Sequence, residues 1–404
     1  MYIEYLISIV LAFIVAFSAT PIAKKIAFKI GAVDIPKDDR RMHKKPIALF
    51  GGAAIVSGFL VSILYNLATA YEMFFVDHEP RELWGLFLGI VIIVIMGIVD
   101  DIMHLKAKVK LAFQLAAAIA VVAVSDTRIS VITNPFASDG YSILPGYISY
   151  PLTILWIVGI TNAINLIDGL DGLAAGVASI SSLSLFFVST LNIAVGADPY
   201  TSIITAALAG STLGFLPFNF NPAKIFMGET GSAFLGFTLG VISIQGTLKS
   251  YAAISIAIPI LVLGLPLFDT AFAILRRLIS GKPVMSADRG HLHHKLIDMG
   301  LSQKQSVLVM YIASAALGLC AIVLASNGVL SAIILLISVS VFVIGGARYM
   351  NEISGDSGDP GHEEEDMVSS SDGSESKSEN TDDKKVPKDN ASKIIMDNIK
   401  YQKP

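Results

Sequence analysis

The 404-residue chain has one cysteine, Cys320, so no intrachain disulfide can form and the thiolate clusters of structural zinc sites are excluded. Charged residues are scarce, at 15% of the sequence against about 25% in a soluble domain. Hydrophobic residues make up 53%, and the mean hydropathy is +0.67. That balance excludes a soluble globular protein. No GxxxxGK[ST] run occurs, which leaves a phosphate-binding-loop ATPase or GTPase without support, and the acids do not follow an EF-hand pattern. There is also no internal repeat of the kind that many transporters carry.

What is present is a series of apolar stretches near the ~20 residues that a bilayer requires. They fall at about 2–22, 49–70, 83–99, 111–125, 151–167, 173–191, 201–217, 231–247, 252–275, 305–325 and 329–347. The expected fold is an all-α polytopic membrane protein of about eleven transmembrane helices, with residues 1–350 as the membrane domain. The first stretch lacks a basic leader, and Lys24, Lys25 and Lys29 follow it, so it reads as a retained span with the N-terminus outside. In that threading all of the 29 Lys and Arg residues except Arg81, Arg128 and Lys249 lie on one side, which the positive-inside rule makes the cytoplasm. Residues 351–404 read as a disordered acidic cytoplasmic tail, because Asn351 to Val386 hold twelve acids, three lysines and no aromatic residue.

The remaining charges are not scattered. Asp100, Asp101, Asp168, Asp171, Glu229, Asp288 and the histidines of "HLHH" all fall on cytoplasmic loops or span ends in that threading. Two adjacent acids at the C-terminal end of a helix oppose its dipole and repel each other, costs that a cation would relieve. The segment "GIVDDIMHLKAKVKLAFQ" follows Asp100 and Asp101 with Lys106, Lys108 and Lys110; Lys106 and Lys110 have the i, i+4 spacing of one helical face. In "TNAINLIDGLDGLAAG", Asn162, Asn165, Asp168 and Asp171 interrupt an apolar helix, and the two acids sit either on one helical turn or in an irregular one. In "FNFNPAKIFMGETGSAFLGF", Thr230 and Ser232 are candidate caps for the helix that begins beside Glu229. His291, His293 and His294 in a basic loop suit phosphate oxygens better than zinc. Asp269 is an intramembrane acid, with a functional role and a structural pairing both open. Carboxylates from separate loops, lysines, histidines and a helix N-terminus together describe a phosphate-handling site with a hard divalent cation.

Five segments in order, "GIVDDIMHLKAKVKLAFQ", "NAINLIDGLDGLAAG", "NPAKIFMGETGS", "PLFDT" and "ADRGHLHHKL", resemble the motifs of the polyprenyl-phosphate N-acetylhexosamine-1-phosphate transferases. The early "VDIPKDDRRMHKKPIALFGG" is similar to that family's first cytoplasmic loop. The resemblance implies that undecaprenyl phosphate attacks the β-phosphorus of a UDP-sugar, giving the lipid diphosphosugar and UMP with magnesium, or alternatively manganese, as cofactor. Its "HLHH" form points to UDP-N-acetylglucosamine and to teichoic acid or surface polysaccharide synthesis. The related phospho-MurNAc-pentapeptide transferases are the alternative, and a transporter a more distant one. By the same resemblance Asp100 deprotonates the lipid phosphate, Asp101 supports metal or substrate, and Glu229, Asp101 and Asp168 are the metal ligands. Asp168 and Asp171 shape the uridine side, with Asn219, Phe226 and Gly228 nearby. Lys110, His291, His293 and His294 hold phosphate, and Lys45, Lys108, Asn165, Asp288 and Arg289 complete the expected substrate contacts. A multi-pass plasma-membrane location, an active site facing the cytoplasm and a homodimer follow; a nucleic-acid partner does not. The chain departs from the family pattern in carrying Glu229 where aspartate is usual and "ALF" where many members place an arginine.

Overall fold

A computed structural model of the chain describes residues 2–35, 45–71, 81–134, 136, 141–193, 199–246, 256–281, 290–326, 328–337 and 340. The chain divides into a unit Met1–Ala347 and a unit Arg348–Pro404; the second, with the acidic tail, lies outside the described residues.

Helix α1 (Tyr2–Ile30) leads into a two-residue strand β1 (Val33–Asp34), which pairs antiparallel with β2 (Ile47–Ala48). Then come α2 (Gly51–Thr69), α3 (Arg81–Met103), α4 (Ala107–Ser125), the hairpin β3 (Val131–Thr133) and β4 (Tyr141–Ile143), α5 (Gly146–Ile167), α6 (Leu173–Asn192) and α7 (Pro199–Asn219). The chain continues through α8 (Gly228–Gln245), α9 (Ala257–Val262), α10 (Gly264–Ile279), α11 (Leu292–Asp298) and α12 (Gln303–Ala325), with helix again over 329–337.

Among the described residues eight helices are long and apolar enough to cross a membrane, namely α1 to α7 and α12. The stretch expected at 231–247 forms α8, but its first turn carries Glu229 and every residue from Thr230 to Gln245 is buried. A helix enclosed by other helices is not required to be as hydrophobic as one that faces lipid. The stretch expected at 252–275 is divided between α9 and α10, which break at Leu263. Helix α1 runs past its expected end to Ile30, because Lys24, Lys25 and Lys29 continue the helix beyond the apolar run. At 1.5 Å per residue it spans roughly 43 Å, longer than the ~30 Å hydrocarbon layer.

Small residues let α8 sit at the centre. Built on the backbone, a Cβ at Gly236 would lie 2.7 Å from Thr161 Cα and 2.9 Å from Thr161 O on α5. One at Gly97 would lie 2.7 Å from Thr230 N, so α3 and α8 touch backbone to backbone where the first acidic pair ends α3. Many hydroxyls inside the spans donate to a carbonyl of their own helix, as in Thr20 to Ala16 O (2.7 Å) and Thr212 to Leu208 O (2.9 Å). A few polar side chains join helices: Asn66 Nδ2 donates to Ser8 Oγ (2.9 Å), and Trp156 Nε1 to Ser243 Oγ (3.1 Å).

One end of the bundle is locked by backbone pairing between distant loops. Phe226 N donates to Ala48 O (2.8 Å), Gly51 N to Phe226 O (2.9 Å) and Gly52 N to Met227 O (2.7 Å). The loop that opens α8 is thereby stitched to the β1–β2 segment and the start of α2. Adding a methyl group at Gly236 must separate α5 from α8. Gly236→Ala is expected to cost about 1–3 kcal/mol, as overpacking of a close contact does, and to lower the thermal unfolding midpoint of the purified protein in detergent.

Candidate active site

The end of α3 and the start of α8 meet through one carboxylate. Asp101 is buried at 4% exposure. Its Oδ1 accepts Glu229 N (2.7 Å), and its Oδ2 accepts Thr230 N (3.2 Å) and Thr230 Oγ1 (2.6 Å). The N-cap residue of α8, Met227, supplies no side-chain bond, so Asp101 caps the helix from another element. Thr230 and Ser232 do not cap it, contrary to the expectation from their position: Thr230 donates to Asp101, and Ser232 Oγ donates to Gly228 O (3.1 Å). Gly228, at φ +70°, is required where Asp101 approaches, because a Cβ there would lie 2.5 Å from its Oδ1.

Asp100, its neighbour, remains more open. Oδ1 accepts Leu105 N (2.8 Å), and Oδ2 lies 3.6 Å from Lys110 Nζ. Lys110 also donates to Glu229 Oε2 at 2.9 Å, placing one ammonium between two carboxylates. Lys106 is the N-cap residue of α4, with extended backbone, and its carbonyl accepts Lys110 N (3.2 Å). Lys106 and Lys108 are exposed. Lys45 is exposed just before β2.

Asp168 and Asp171 occupy the irregular turn between α5 and α6, one of the two arrangements the sequence allowed. Asp171 Oδ2 accepts Asn221 Nδ2 and Ala223 N, both at 2.9 Å, and Asn221 also bonds Gln303 Oε1 at 2.6 Å. Tyr311 donates to Gly172 O (2.5 Å), so α12 braces this turn. Asp168 N bonds Asn165 O (3.2 Å), while the Asp168 carboxylate has no hydrogen-bond partner among the described residues and keeps a window to solvent. The protein crowded around it, then the charges of Glu229, Asp101 and Asp171, raise its pKa to about 7. Asn219 is buried and donates to Ile225 O (3.0 Å). Phe226 is half-buried beside it.

The histidines adjoin this turn. His291 and His293 are buried and their rings stack at 5.8 Å; His294 is half-buried, its ring 4.2 Å from that of His293. His293 packs against Gly169, where a Cβ would lie 2.7 Å from Nε2, and both its ring nitrogens are buried without a partner among the described residues. Burial first, and then the charge of His294, push its pKa down to about 4, so its ring is neutral at physiological pH. His291 Nδ1 lies 2.8 Å from Asp269 Oδ2. Asp288 and Arg289 lie outside the described residues.

The structure therefore joins Asp100, Asp101, Lys110, Glu229, Asp168, Asp171 and the histidines at one end of the bundle, and divides the acids by duty. Asp101 and Asp171 are bound to backbone amides. Asp100 spends Oδ1 on Leu105 N and keeps Oδ2 towards Lys110, while Asp168 and Glu229 Oε1, a buried oxygen without a partner among the described residues, remain available. No group of three metal-binding side chains converges on a point among the described residues. The donor set is nonetheless oxygen only, and the orphaned Glu229 Oε1 with nearby Asp168 fits a hard divalent cation completed by substrate oxygens and water. Sequence reasoning missed Gln303 and Tyr311, which lie on a helix without any charged motif, and it missed the capping duty of Asp101.

The sequence model of glycosyl transferase family 4 matches residues 83–247, which hold the acids but not the histidines. The chain is 42% identical over 346 residues, 84% of its length and 91% of the relative's, to a probable undecaprenyl-phosphate N-acetylglucosaminyl 1-phosphate transferase of Bacillus subtilis. It is 32% identical to the decaprenyl-phosphate N-acetylglucosaminephosphotransferase of Mycolicibacterium smegmatis, over 74% of this chain and 77% of that one. To the undecaprenyl-phosphate alpha-N-acetylglucosaminyl 1-phosphate transferase of Salmonella typhi it is 26% identical, over 73% and 77%.

Two outcomes follow from this geometry. Thr230→Val keeps the shape but removes the hydroxyl that donates to Asp101; it is expected to cost roughly 1.5–3 kcal/mol in thermal unfolding and to reduce turnover by releasing Glu229. Because His293 is neutral in the fold with a pKa near 4 against an ordinary 6.5, the unfolded chain takes up a proton in this window that the folded chain refuses. Its contribution to stability is complete above about pH 6.5 and is lost as pH falls towards 4. The unfolding midpoint of the wild type should therefore decline more steeply than that of His293→Gln across that interval.

Proposed function

The chain belongs to glycosyl transferase family 4, and from that premise we propose that it transfers N-acetylglucosamine 1-phosphate from UDP-N-acetylglucosamine to undecaprenyl phosphate, releasing UMP. The observation that carries this reading is the meeting of the open carboxylates Asp100, Asp168 and Glu229 with Lys110 at one end of a membrane bundle. A lipid-borne acceptor and a water-soluble donor can meet only at such a boundary. The names of the relatives favour N-acetylglucosamine over a MurNAc-pentapeptide as the transferred sugar.

In the reaction a phosphate oxygen of the lipid attacks the β-phosphorus of the donor. A new P–O bond forms while the bond to the bridging oxygen breaks, and UMP leaves with that electron pair. Asp100 receives the proton of a monoprotonated lipid phosphate, since its partner Asp101 is bound to the start of α8. Lys110, held 2.9 Å from Glu229, brings preset positive charge beside the phosphates. The α8 N-terminus adds its dipole, its first amides being taken by Asp101, and the histidines line the side of the Asp168 turn. Magnesium held by Glu229 and Asp168 would supply further positive charge across the diphosphate. Positioning and preset electrostatics account for most of the acceleration in this chemistry.

The same reading places the site on the cytoplasmic face of the plasma membrane, where UDP-sugars are, in keeping with the lysine and arginine bias of the threaded loops. It makes the reaction the first membrane step of teichoic acid or surface polysaccharide synthesis. The same proposal includes a homodimer.

Purified protein should release UMP from UDP-N-acetylglucosamine only when polyprenyl phosphate and magnesium are both supplied, and EDTA should stop it. Asp100→Asn should lower turnover by at least about a hundredfold, the weight of a general base, with unchanged thermal unfolding. Release of UMP from UDP-MurNAc-pentapeptide alone would assign the chain to the related branch instead.

A further inference from the structure

Asp269 on α10 has no place in the mechanism above, yet it is buried at 8% exposure and both its oxygens are occupied. Oδ2 lies 2.8 Å from His291 Nδ1, and Oδ1 accepts Leu292 N at 2.7 Å. His291 is the residue before α11, and its side chain does not cap that helix. One carboxylate therefore ties down both the ring of His291 and the first turn of the helix that carries His293 and His294. Arg276, about two turns further along α10, donates to Gly290 O at 2.8 Å and pins the chain just before His291.

A carboxylate beside Nδ1 has a chemical consequence for the ring. An ionised carboxylate only accepts, so the neutral imidazole must carry its proton on Nδ1, which leaves Nε2 with a lone pair. No partner of Nε2 occurs among the described residues. We propose that Asp269 is a positioning residue of the transfer reaction: it holds His291 with Nδ1–H turned towards its own carboxylate, so that Nε2 faces a phosphate group of the substrates and, on taking up a proton, donates to its oxygen. This rests on the phosphate-transfer reading of the site. Asp269 acts through His291 and touches no substrate itself.

The aspartate cannot be replaced by its amide without changing the ring. Leu292 N and His291 Nδ1 bond different oxygens of the carboxylate, and in that geometry one amide oxygen serves only one of them. The backbone donor has no alternative, so it keeps the oxygen, the amide nitrogen faces Nδ1, and the imidazole shifts its proton to Nε2.

The test uses the full-length protein in detergent with 15N-labelled histidine, at about pH 9, where an ordinary imidazole is neutral. The His291 signals are identified by their loss in His291→Gln. The wild type should show Nδ1 protonated and Nε2 unprotonated, and Asp269→Asn the reverse. Protonation of Nε2 in the wild type would overturn the proposal whether or not any variant folds. In the UMP-release assay Asp269→Asn should lower kcat/KM by roughly 10–100-fold, the range found when the partner orienting a histidine is removed. Placed on top of His291→Gln it should cost less than about twofold more, because residues acting through one another are not additive. A full additive loss in the double variant would show that Asp269 acts through the fold and not through His291. Wild-type protein that releases no UMP would sink the transferase reading instead, while the tautomer measurement, which needs no turnover, would still decide the role of Asp269.

Discussion

The site depends on one carboxylate closing the exposed end of a buried helix. The first amides of α8 have no intrahelical acceptors, and α8 is enclosed by other helices, so water is a poor substitute. Asp101 supplies three acceptor contacts from the end of α3. This bond fixes the relative height of α3 and α8. It also sets the backbone of Glu229, whose side chain then meets Lys110 from α4. Three helices that share no local sequence are brought to one point by a single acid.

The adjacent pair Asp100 and Asp101 thereby gains a physical explanation. Two acids at a helix C-terminus are unfavourable together unless each has a separate partner. One is committed to the amides of α8, and the other faces Lys110 and the open side of the site. The same device recurs at α11, where Asp269 closes the helix start and holds His291. In both places an acid on a long helix organises a shorter, functionally loaded segment from outside it. A carboxylate can do this within a bilayer because its charge is matched by several convergent donors.

Close backbone approach makes these bonds geometrically possible. Gly97 and Gly228 flank the Asp101 contact, and a side chain at either position would push α3 and α8 apart. Gly169 gives the ring of His293 its place against the Asp168 turn. Glycines in the motifs thus serve the site through space as well as through backbone freedom. The backbone pairing of Ala48, Gly51 and Gly52 with Phe226 and Met227 holds the loop before α8 against the first loop, which bears none of the open acids.

The membrane class, the positions of most spans and the gathering of acids and histidines at one end were legible in the sequence, because hydropathy and charge are additive properties of local composition. Glu229, Asp168 and Lys110 were named from their place at span ends, and they do meet. Which acids stay open was not legible: Asp100 and Asp101 are chemically identical neighbours, and only the packing of α8 against α3 distinguishes them. The break at Leu263, the burial of α8 and the bracing of Asp171 by Asn221 and Gln303 were likewise decided by tertiary contacts. Sequence alone determined what kinds of groups reach the boundary, since each residue carries its own polarity; the fold determined which of them are free to act, since a carboxylate's availability depends on donors that arrive from far along the chain.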